Sequence, residues 1–133
     1  MYQRKIEREL RCPLEYGLDI FGGKWNSRII CILFIKGSLR YNELKAEMLD
    51  ITDTVLSRTL KELMQNNMVE RRQYNEIPMR VTYQLIEKAE SVIPIFETIC
   101  QWSKKYLAPD DINNSICGQF PKQDGEFFIL AEE

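Results

Sequence analysis

The sequence predicts a mainly α fold that carries one small β-hairpin. The first supporting observation is a short amphipathic segment at residues 41–48, in which Leu44 and Met48 lie four residues apart on one helical face. The second is a longer amphipathic segment that follows residues 49–51. The third is the pair of alternating segments 69–73 and 80–85, a pattern typical of antiparallel strands. We therefore expect helix, turn, helix and hairpin in direct succession.

Two helices are expected before this unit. Pro13 suits a first helical turn, and Gly22-Gly23 should end that helix. One face of it carries Leu14, Leu18 and Phe21. The next helix opens near residues 24–27, with an N-cap at Asn26 or Ser27, and it is almost wholly apolar through Ile29, Ile30, Leu33 and Phe34. Such a helix is expected at the centre of its domain.

The longer amphipathic segment is predicted to be a helix capped by Thr52 and ended by Asn66-Asn67. Its apolar stripe consists of Leu56, Leu60, Leu63 and Met64. Its opposite face is polar near the start and cationic further on, through Asp53, Thr54, Ser57, Arg58 and Lys61.

The hairpin should turn at residues 74–78, and Leu39-Arg40 is a candidate short third strand beside it. Residues 87–93 lead into a long helix, and Pro94 marks either the first turn of the main helix or a kink. This helix is crowded with apolar side chains, namely Ile93, Phe96, Ile99, Cys100, Trp102 and Tyr106. Because it carries more apolar surface than a small domain needs, we expect a dimer interface there.

Charge divides the chain into three parts. The expected division is an N-terminal arm at 1–11, a domain at 12–107 and an acidic tail at 108–133, of which residues 108–115 are expected to be loop-like. Residues 1–107 hold 17 lysines and arginines against 14 acidic residues, whereas the tail holds one lysine and six acidic residues. The overall charge of −2 therefore hides a mildly basic body, which suits a polyanionic partner.

The composition excludes several kinds of site. The chain has no histidine, and its cysteines at 12, 31, 100 and 117 have no CxxC spacing, so no metal site or cofactor is expected. Catalysis by Ser-His-Asp or Cys-His is excluded for the same reason. The charged start lacks a signal-peptide core and no apolar run could span a membrane, so we expect a cytoplasmic protein with free thiols.

A helix-turn-helix followed by a hairpin is a winged helix-turn-helix, whose second helix lies in a DNA major groove. Thr52, Thr54, Ser57, Arg58 and Lys61 are then candidates for DNA contact, although the same pattern fits an ordinary solvated face. On the wing the candidates are Arg71, Arg72, Tyr74 and Arg80. Alternation sends Arg71 and Arg72 to opposite faces, so only one of them should join Arg80. Phosphate contacts are also expected from helix starts, at Lys24, Ser27, Arg40 and Asn42, whereas Trp25 should belong to the core.

Three local patterns together resemble the HxlR-type family of bacterial winged-helix transcription regulators, which are relatives of the MarR type. The first is Cys12-Pro-Leu-Glu-Tyr16 with Gly22-Gly-Lys-Trp25, and the second is Leu39-Arg-Tyr-Asn-Glu-Leu44. The third runs from Leu56 through Val69-Glu-Arg71 and residues 74–78 to Val81-Thr-Tyr83. The resemblance covers roughly residues 8–107. The sequence departs from the family pattern at Asp53, which puts a carboxylate near phosphates. It also departs in the tail, which has no counterpart in the family.

The resemblance implies a homodimer that binds pseudo-palindromic promoter DNA, and it implies that Cys12 senses oxidants or electrophiles. Cys12 has its own reason to be reactive, because it stands at a helix N-terminus beside Arg11. Cys31 and Cys100 fit core positions, and Cys117 is a candidate resolving partner. A small-molecule effector is the alternative signal. Two other functions stay open: a thiol-dependent redox protein, and a winged-helix interaction module that does not bind DNA.

Overall fold

The computed structural model describes residues 12–113. Its elements follow one another as α1 Pro13–Phe21, α2 Asn26–Lys36, α3 Tyr41–Met48, α4 Asp53–Gln65, β1 Val69–Tyr74, β2 Arg80–Leu85, α5 Glu87–Glu90, α6 Ile93–Lys104 and α7 Pro109–Asn113. The predicted mainly helical fold with one antiparallel hairpin is confirmed. Within residues 12–113, no helix has the length and apolar character that a membrane crossing requires.

The α1–α2 corner differs from the prediction in its capping. Helix α1 does begin at Pro13 and end before Gly22, where an added Cβ would clash with the Leu18 carbonyl oxygen. The predicted side-chain cap at Asn26 or Ser27 is wrong, because Trp25 occupies the N-cap position and its side chain makes no capping hydrogen bond. Asn26 Nδ2 instead donates to the Ile20 carbonyl at 2.6 Å, which fastens α1 to the start of α2.

Helix α2 is central, as predicted, since all residues from Ile29 to Leu33 are buried. Phe34 is the exception, with 41% of its surface exposed. Around α2, side chains from α1, α3, α4, α5, α6 and the base of the hairpin pack into one continuous hydrophobic core.

The helix-turn-helix follows the prediction closely. Leu44 and Met48 are fully buried on α3, which ends where Leu49 takes a φ of 62°. Thr52 Oγ1 accepts a hydrogen bond from the Val55 N–H at 3.2 Å, so the predicted cap of α4 is confirmed. The α4 stripe is buried at Leu56, Leu60 and Leu63 and half-buried at Met64. Its leucines therefore fix α4 to the core by one face.

The hairpin is one residue longer than predicted on its first strand. Pairing runs from Val69 opposite Leu85 to Tyr74 opposite Arg80, so Tyr74 belongs to the ladder and not to the tip. The guanidinium of Arg80 lies 3.8 Å from the centre of the Tyr74 ring, a cation–π contact that favours this last pair. The candidate third strand at Leu39-Arg40 is reduced to a single bridge between Leu39 and Tyr83.

The last helices settle one alternative and correct one expectation. Pro94 stands in the first turn of α6, where its missing N–H leaves no helical hydrogen bond unmade, and it does not kink the helix. Residues 109–113 form the short helix α7, so the start of the tail is not loop-like as expected. Pro109 opens α7 and Asp110 and Asp111 occupy its first turn, where a carboxylate is favoured by the helix dipole.

Candidate nucleic-acid interface

The outer face of α4 is open to solvent. The residues predicted to lie on it are all exposed, namely Asp53, Thr54, Ser57, Arg58 and Lys61. The positions 54, 57, 58 and 61 repeat at helical spacing, so they form one stripe opposite the buried leucines. This polar stripe, called the reading face below, can be approached by a large partner without any unfolding of α4.

A hydrogen-bonded network joins the start of the reading face to α3. The Tyr41 hydroxyl lies 3.1 Å from Asp53 Oδ1, 3.3 Å from the Asp53 carbonyl oxygen and 3.2 Å from Ser57 Oγ. Lys45 Nζ lies 3.0 Å from the same Asp53 carboxylate. The network therefore sets the position of the two helices of the motif by polar contacts as well as by the core.

Lys45 changes the electrostatic character of Asp53. Hydrogen bonds from Lys45 and then from Tyr41 hold the pKa of the Asp53 carboxyl below its ordinary value, so the group is ionised at neutral pH. Its negative charge is matched by the Lys45 ammonium at salt-bridge distance. The carboxylate that looked unfavourable beside phosphates is thus compensated within the protein. Lys45 was not among the residues predicted from the sequence, since its pairing across the turn depends on how α3 and α4 pack.

The cations of the reading face remain unengaged. The guanidinium of Arg58 and the ammonium of Lys61 make no hydrogen bond or ion pair with any residue of the described range 12–113. These exposed, unpaired cations lie four and seven residues beyond Thr54, and they are available to phosphates and base edges.

The wing presents its arginines on two sides. Direct pairing of Tyr74 with Arg80, and of Arg72 with Thr82, puts Arg72 and Arg80 on one face and Arg71 on the other. Arg72 is the member of the pair that joins Arg80. Both arginines form ion pairs, Arg72 with Glu70 and Arg80 with Glu76, and in each pair the Nη2 atom lies 3.1 Å from the carboxylate oxygen Oε2.

Tyr74 is held between its neighbours on the wing. The Thr82 hydroxyl donates to the Tyr74 hydroxyl oxygen at 3.4 Å, and this contact is the largest cause that lowers the pKa of Tyr74, with Arg72 and Arg80 adding to it. Wing contacts with DNA would therefore compete with ion pairs and stacking inside the hairpin.

The start of α2 contributes a cationic cluster around Trp25. This ring packs on the core, as predicted, and the Lys24 ammonium and Arg28 guanidinium lie 4.7 and 5.2 Å from its centre. Arg28 Nη1 also donates to the Met48 carbonyl at 3.5 Å, at the end of α3. Lys24 is exposed whereas Ser27 is half-buried. Sequence analysis did not select Arg28, because its role follows from the packing of α2 against α3.

Arg40 and Asn42 are both exposed at the start of α3. The Arg40 backbone N–H donates to the Glu43 carboxylate at 2.8 Å, which caps α3 and leaves the Arg40 side chain outside the capping bond.

The described cysteines differ sharply in exposure. Cys12 is an exposed thiol directly before α1, and none of Cys12, Cys31 and Cys100 forms a disulfide within the described residues. Burial raises the pKa of the Cys31 thiol to about 12, with Cys100 as a lesser cause. Cys31 therefore stays protonated at neutral pH and does not form the reactive thiolate. Cys117 lies outside the described residues. In the range 12–113, no cluster of three or more acidic or cysteine side chains could hold a metal ion.

A helix-turn-helix with an open polar and cationic second helix, followed by a hairpin, defines a winged helix-turn-helix DNA-binding protein. The family model of the HxlR-like helix-turn-helix proteins matches residues 20–111, and the chain belongs to this family. It is therefore a transcriptional regulator that binds DNA.

Proteins of known sequence support this assignment. An uncharacterized HTH-type transcriptional regulator of Methanothermobacter thermautotrophicus is 42% identical over 98 residues, which are 74% of each chain. The regulator BH0655 of Halalkalibacterium halodurans is 38% identical over 104 residues, 78% of this chain and 92% of its own.

Solved structures agree with the fold. The reduced form of the transcriptional regulator YodB from B. subtilis superposes with a TM-score of 0.69 at 33% identity, over 75% of this chain and 98% of that one. The oxidized form of the redox regulator HypR superposes with a TM-score of 0.65 at 32% identity, over 73% and 99% of the two chains.

Proposed function

We propose that the protein acts as a homodimer on an inverted-repeat operator and represses transcription by occupying promoter DNA. The observation that carries the proposal is the open reading face of α4 on a helix whose leucines are buried. Two such helices, one from each protomer, would lie in successive major grooves about 34 Å apart.

The proposed contacts divide by chemistry. Arg58, Thr54 and Ser57 would meet base edges, and Arg58 is suited to the paired acceptors of guanine. Phosphate contacts are assigned to Lys61 on α4 and to the exposed polar groups around the motif, namely Lys24, Ser27, Arg40, Asn42 and Thr52. On the wing we assign Arg72 and Arg80 with Tyr74 beside them, and Arg71 would serve a backbone on the opposite side.

Dimerisation through the terminal helices is supported by large apolar side chains that the described residues leave exposed to solvent. Exposed large apolar side chains are concentrated on α1 and on α6 with the residues just beyond it: Leu14, Tyr16, Leu18, Ile95, Ile99, Trp102, Tyr106 and Leu107. A monomer rarely exposes so much apolar surface in two elements, and a twofold contact would cover it. The same proposal keeps residues 12–107 as the DNA-binding and dimerising unit, 1–11 as an arm and 108–133 as a tail, in a cytoplasmic protein.

Regulation through Cys12 is the second part of the proposal. Its thiol is exposed at the start of α1, one of the proposed dimer helices. Oxidation there would shift one protomer against the other and change the spacing of the reading faces. Two of the matching structures carry names that describe redox states of regulators, which favours a thiol signal over a small-molecule effector.

Selection of bound sequences from a random DNA pool tests the proposal, with parallel arms that contain oxidant, no oxidant, or the Cys12→Ser variant. We expect an inverted repeat without oxidant, its loss with oxidant, and its retention by oxidised Cys12→Ser. In the same assay Arg58→Ala should relax one position of each half-site while binding persists. If no sequence is enriched and any DNA binding does not weaken as the salt concentration rises, the interaction module is favoured. Turnover of peroxide without DNA binding would instead favour a thiol-dependent redox protein.

A further inference from the structure

The hydroxyl of Ser57 lies in a hydrogen-bonded network with Tyr41 and Asp53, and the donors and acceptors of this network constrain what Ser57 can recognise. A serine hydroxyl offers one donor and two acceptor lone pairs, and its proton ordinarily turns toward whatever partner is present. In this protein the network around Tyr41 removes that freedom.

The Tyr41 hydroxyl has one proton and three oxygen neighbours. Two of these neighbours belong to Asp53, the carboxylate Oδ1 at 3.1 Å and the backbone carbonyl oxygen at 3.3 Å. An ionised carboxylate and a carbonyl only accept hydrogen bonds, so Tyr41 must donate toward Asp53. The Lys45 ammonium, 3.0 Å from Oδ1, keeps the carboxylate charged and therefore unable to donate in return.

The third neighbour of Tyr41 is Ser57 Oγ, at 3.2 Å. Because the Tyr41 proton is directed to Asp53, the contact forms only if Ser57 donates its own proton to the Tyr41 oxygen. Among residues 12–113, the Ser57 hydroxyl makes no other hydrogen bond. Its two lone pairs are thus the only hydrogen-bonding groups that it presents on the exposed reading face.

We propose that Ser57 acts as an acceptor-only specificity residue that selects an exocyclic amino group, adenine N6 or cytosine N4, in the major groove. The inference rests on the proposed placement of α4 in that groove. Thymine O4 and the guanine O6 and N7 atoms are acceptors and would face the Ser57 lone pairs without a proton between them. Phosphate oxygens are also acceptors, so Ser57 is a base contact and not a phosphate contact. Tyr41, Asp53 and Lys45 are positioning residues that fix the direction of the Ser57 hydroxyl.

The test deletes single functional groups from the DNA. The base pair that Ser57 contacts is found first, as the position whose preference differs between operators selected by the wild-type protein and by Ser57→Ala. At that pair the amino group is then removed by replacing adenine with purine or cytosine with pyrimidin-2-one. In separate duplexes the keto oxygen is removed, by replacing guanine with 2-aminopurine or thymine with 5-methylpyrimidin-2-one.

Loss of the amino group should weaken wild-type binding about five- to tenfold, as expected for one hydrogen bond, and should cost Ser57→Ala little. Loss of the keto oxygen should affect both proteins equally. The comparison with Ser57→Ala removes any effect of weaker base pairing. The coupling between Ser57 and the amino group is the difference between the losses that wild type and Ser57→Ala show when the amino group is removed. In Tyr41→Phe the Ser57 proton is released, so this coupling should fall while operator binding persists.

Each other outcome overturns the inference. Coupling of Ser57 to the keto oxygen would show that the hydroxyl donates, and coupling to neither group would show that Ser57 does not read a base. An unchanged coupling in Tyr41→Phe would show that the network does not set the direction. All of these require an operator to exist, so they are distinct from failure of the proposed function, in which no sequence would be enriched at all.

Discussion

At the scale of single residues, some side chains have roles set within one helix and others have roles set by packing between elements. Thr52 was predicted as a cap and the α4 leucines as a buried stripe, and both predictions are confirmed, because capping and periodicity act within one helix. Lys45 and Asn26 could not be assigned in this way. Their partners, Asp53 and the Ile20 carbonyl, belong to other elements and meet them only after packing.

The Lys45–Asp53 pair gives a pH-dependent prediction at this scale. Since the pKa of Asp53 is lowered in the folded protein, the pair stabilises the fold above the ordinary carboxyl pKa, and this contribution is lost as the pH falls through the lowered value. Lys45→Met should raise the titration midpoint of the Asp53 carboxyl carbon measured by NMR. Lys36→Met serves as the control, because it removes a different lysine, on α2, that forms an ion pair with Glu47 on α3. This variant should leave the titration midpoint of Asp53 unchanged. An equal midpoint in wild type and Lys45→Met would contradict the assigned contact.

At the scale of elements, helix bounds in the motif followed from the sequence, whereas the edges of the hairpin did not. Residues 41–48 were predicted as a helix and are α3, and the second strand is also as predicted. The first strand extends to Tyr74 because the Tyr74 ring stacks on Arg80 across the ladder. The alternating pattern of one strand does not predict such a contact between two strands. Similarly, Leu39 forms a bridge and not a strand, since only Tyr83 lies opposite it.

The two faces of α4 predict opposite effects of substitution. Leu60→Ala removes a buried side chain from the core and should lower the free energy of unfolding by about 2–5 kcal/mol. Lys61→Ala, one position further on the exposed face, should change it by less than about 0.5 kcal/mol while weakening DNA binding. Urea unfolding followed by circular dichroism measures both. Equal losses of stability in the two variants would mean that the faces are assigned incorrectly.

At the scale of the whole molecule, the apolar side chains that crowd α6 in the sequence are only partly buried within the described residues. Ile93 and Phe96 are buried against the core, but Trp102 and Tyr106 are 63% and 73% exposed. Composition revealed the excess, and only the packed structure could show which side chains it leaves uncovered. It also shows that Leu14 and Leu18 on α1 belong to the exposed set, although their spacing equally suited a buried face.

The dimer proposal predicts the effect of a charge on this surface. Trp102→Glu should shift the protein from dimer to monomer in sedimentation velocity, because the carboxylate would be buried without a partner at the interface. Met79→Glu adds the same charge to an exposed apolar site near the hairpin tip and should remain dimeric. A dimeric Trp102→Glu protein with unchanged affinity between subunits would place the interface elsewhere.

The central claim is that the outer face of α4 lies against DNA, and operator affinity measured by fluorescence anisotropy tests it most directly. The double variant Arg58→Ala, Lys61→Ala should bind the selected operator at least about a hundredfold more weakly, whereas Lys105→Ala, which removes an exposed cation beyond α6, should bind nearly as the wild type does. If the folded double variant keeps wild-type affinity and salt dependence, the reading face does not contact DNA.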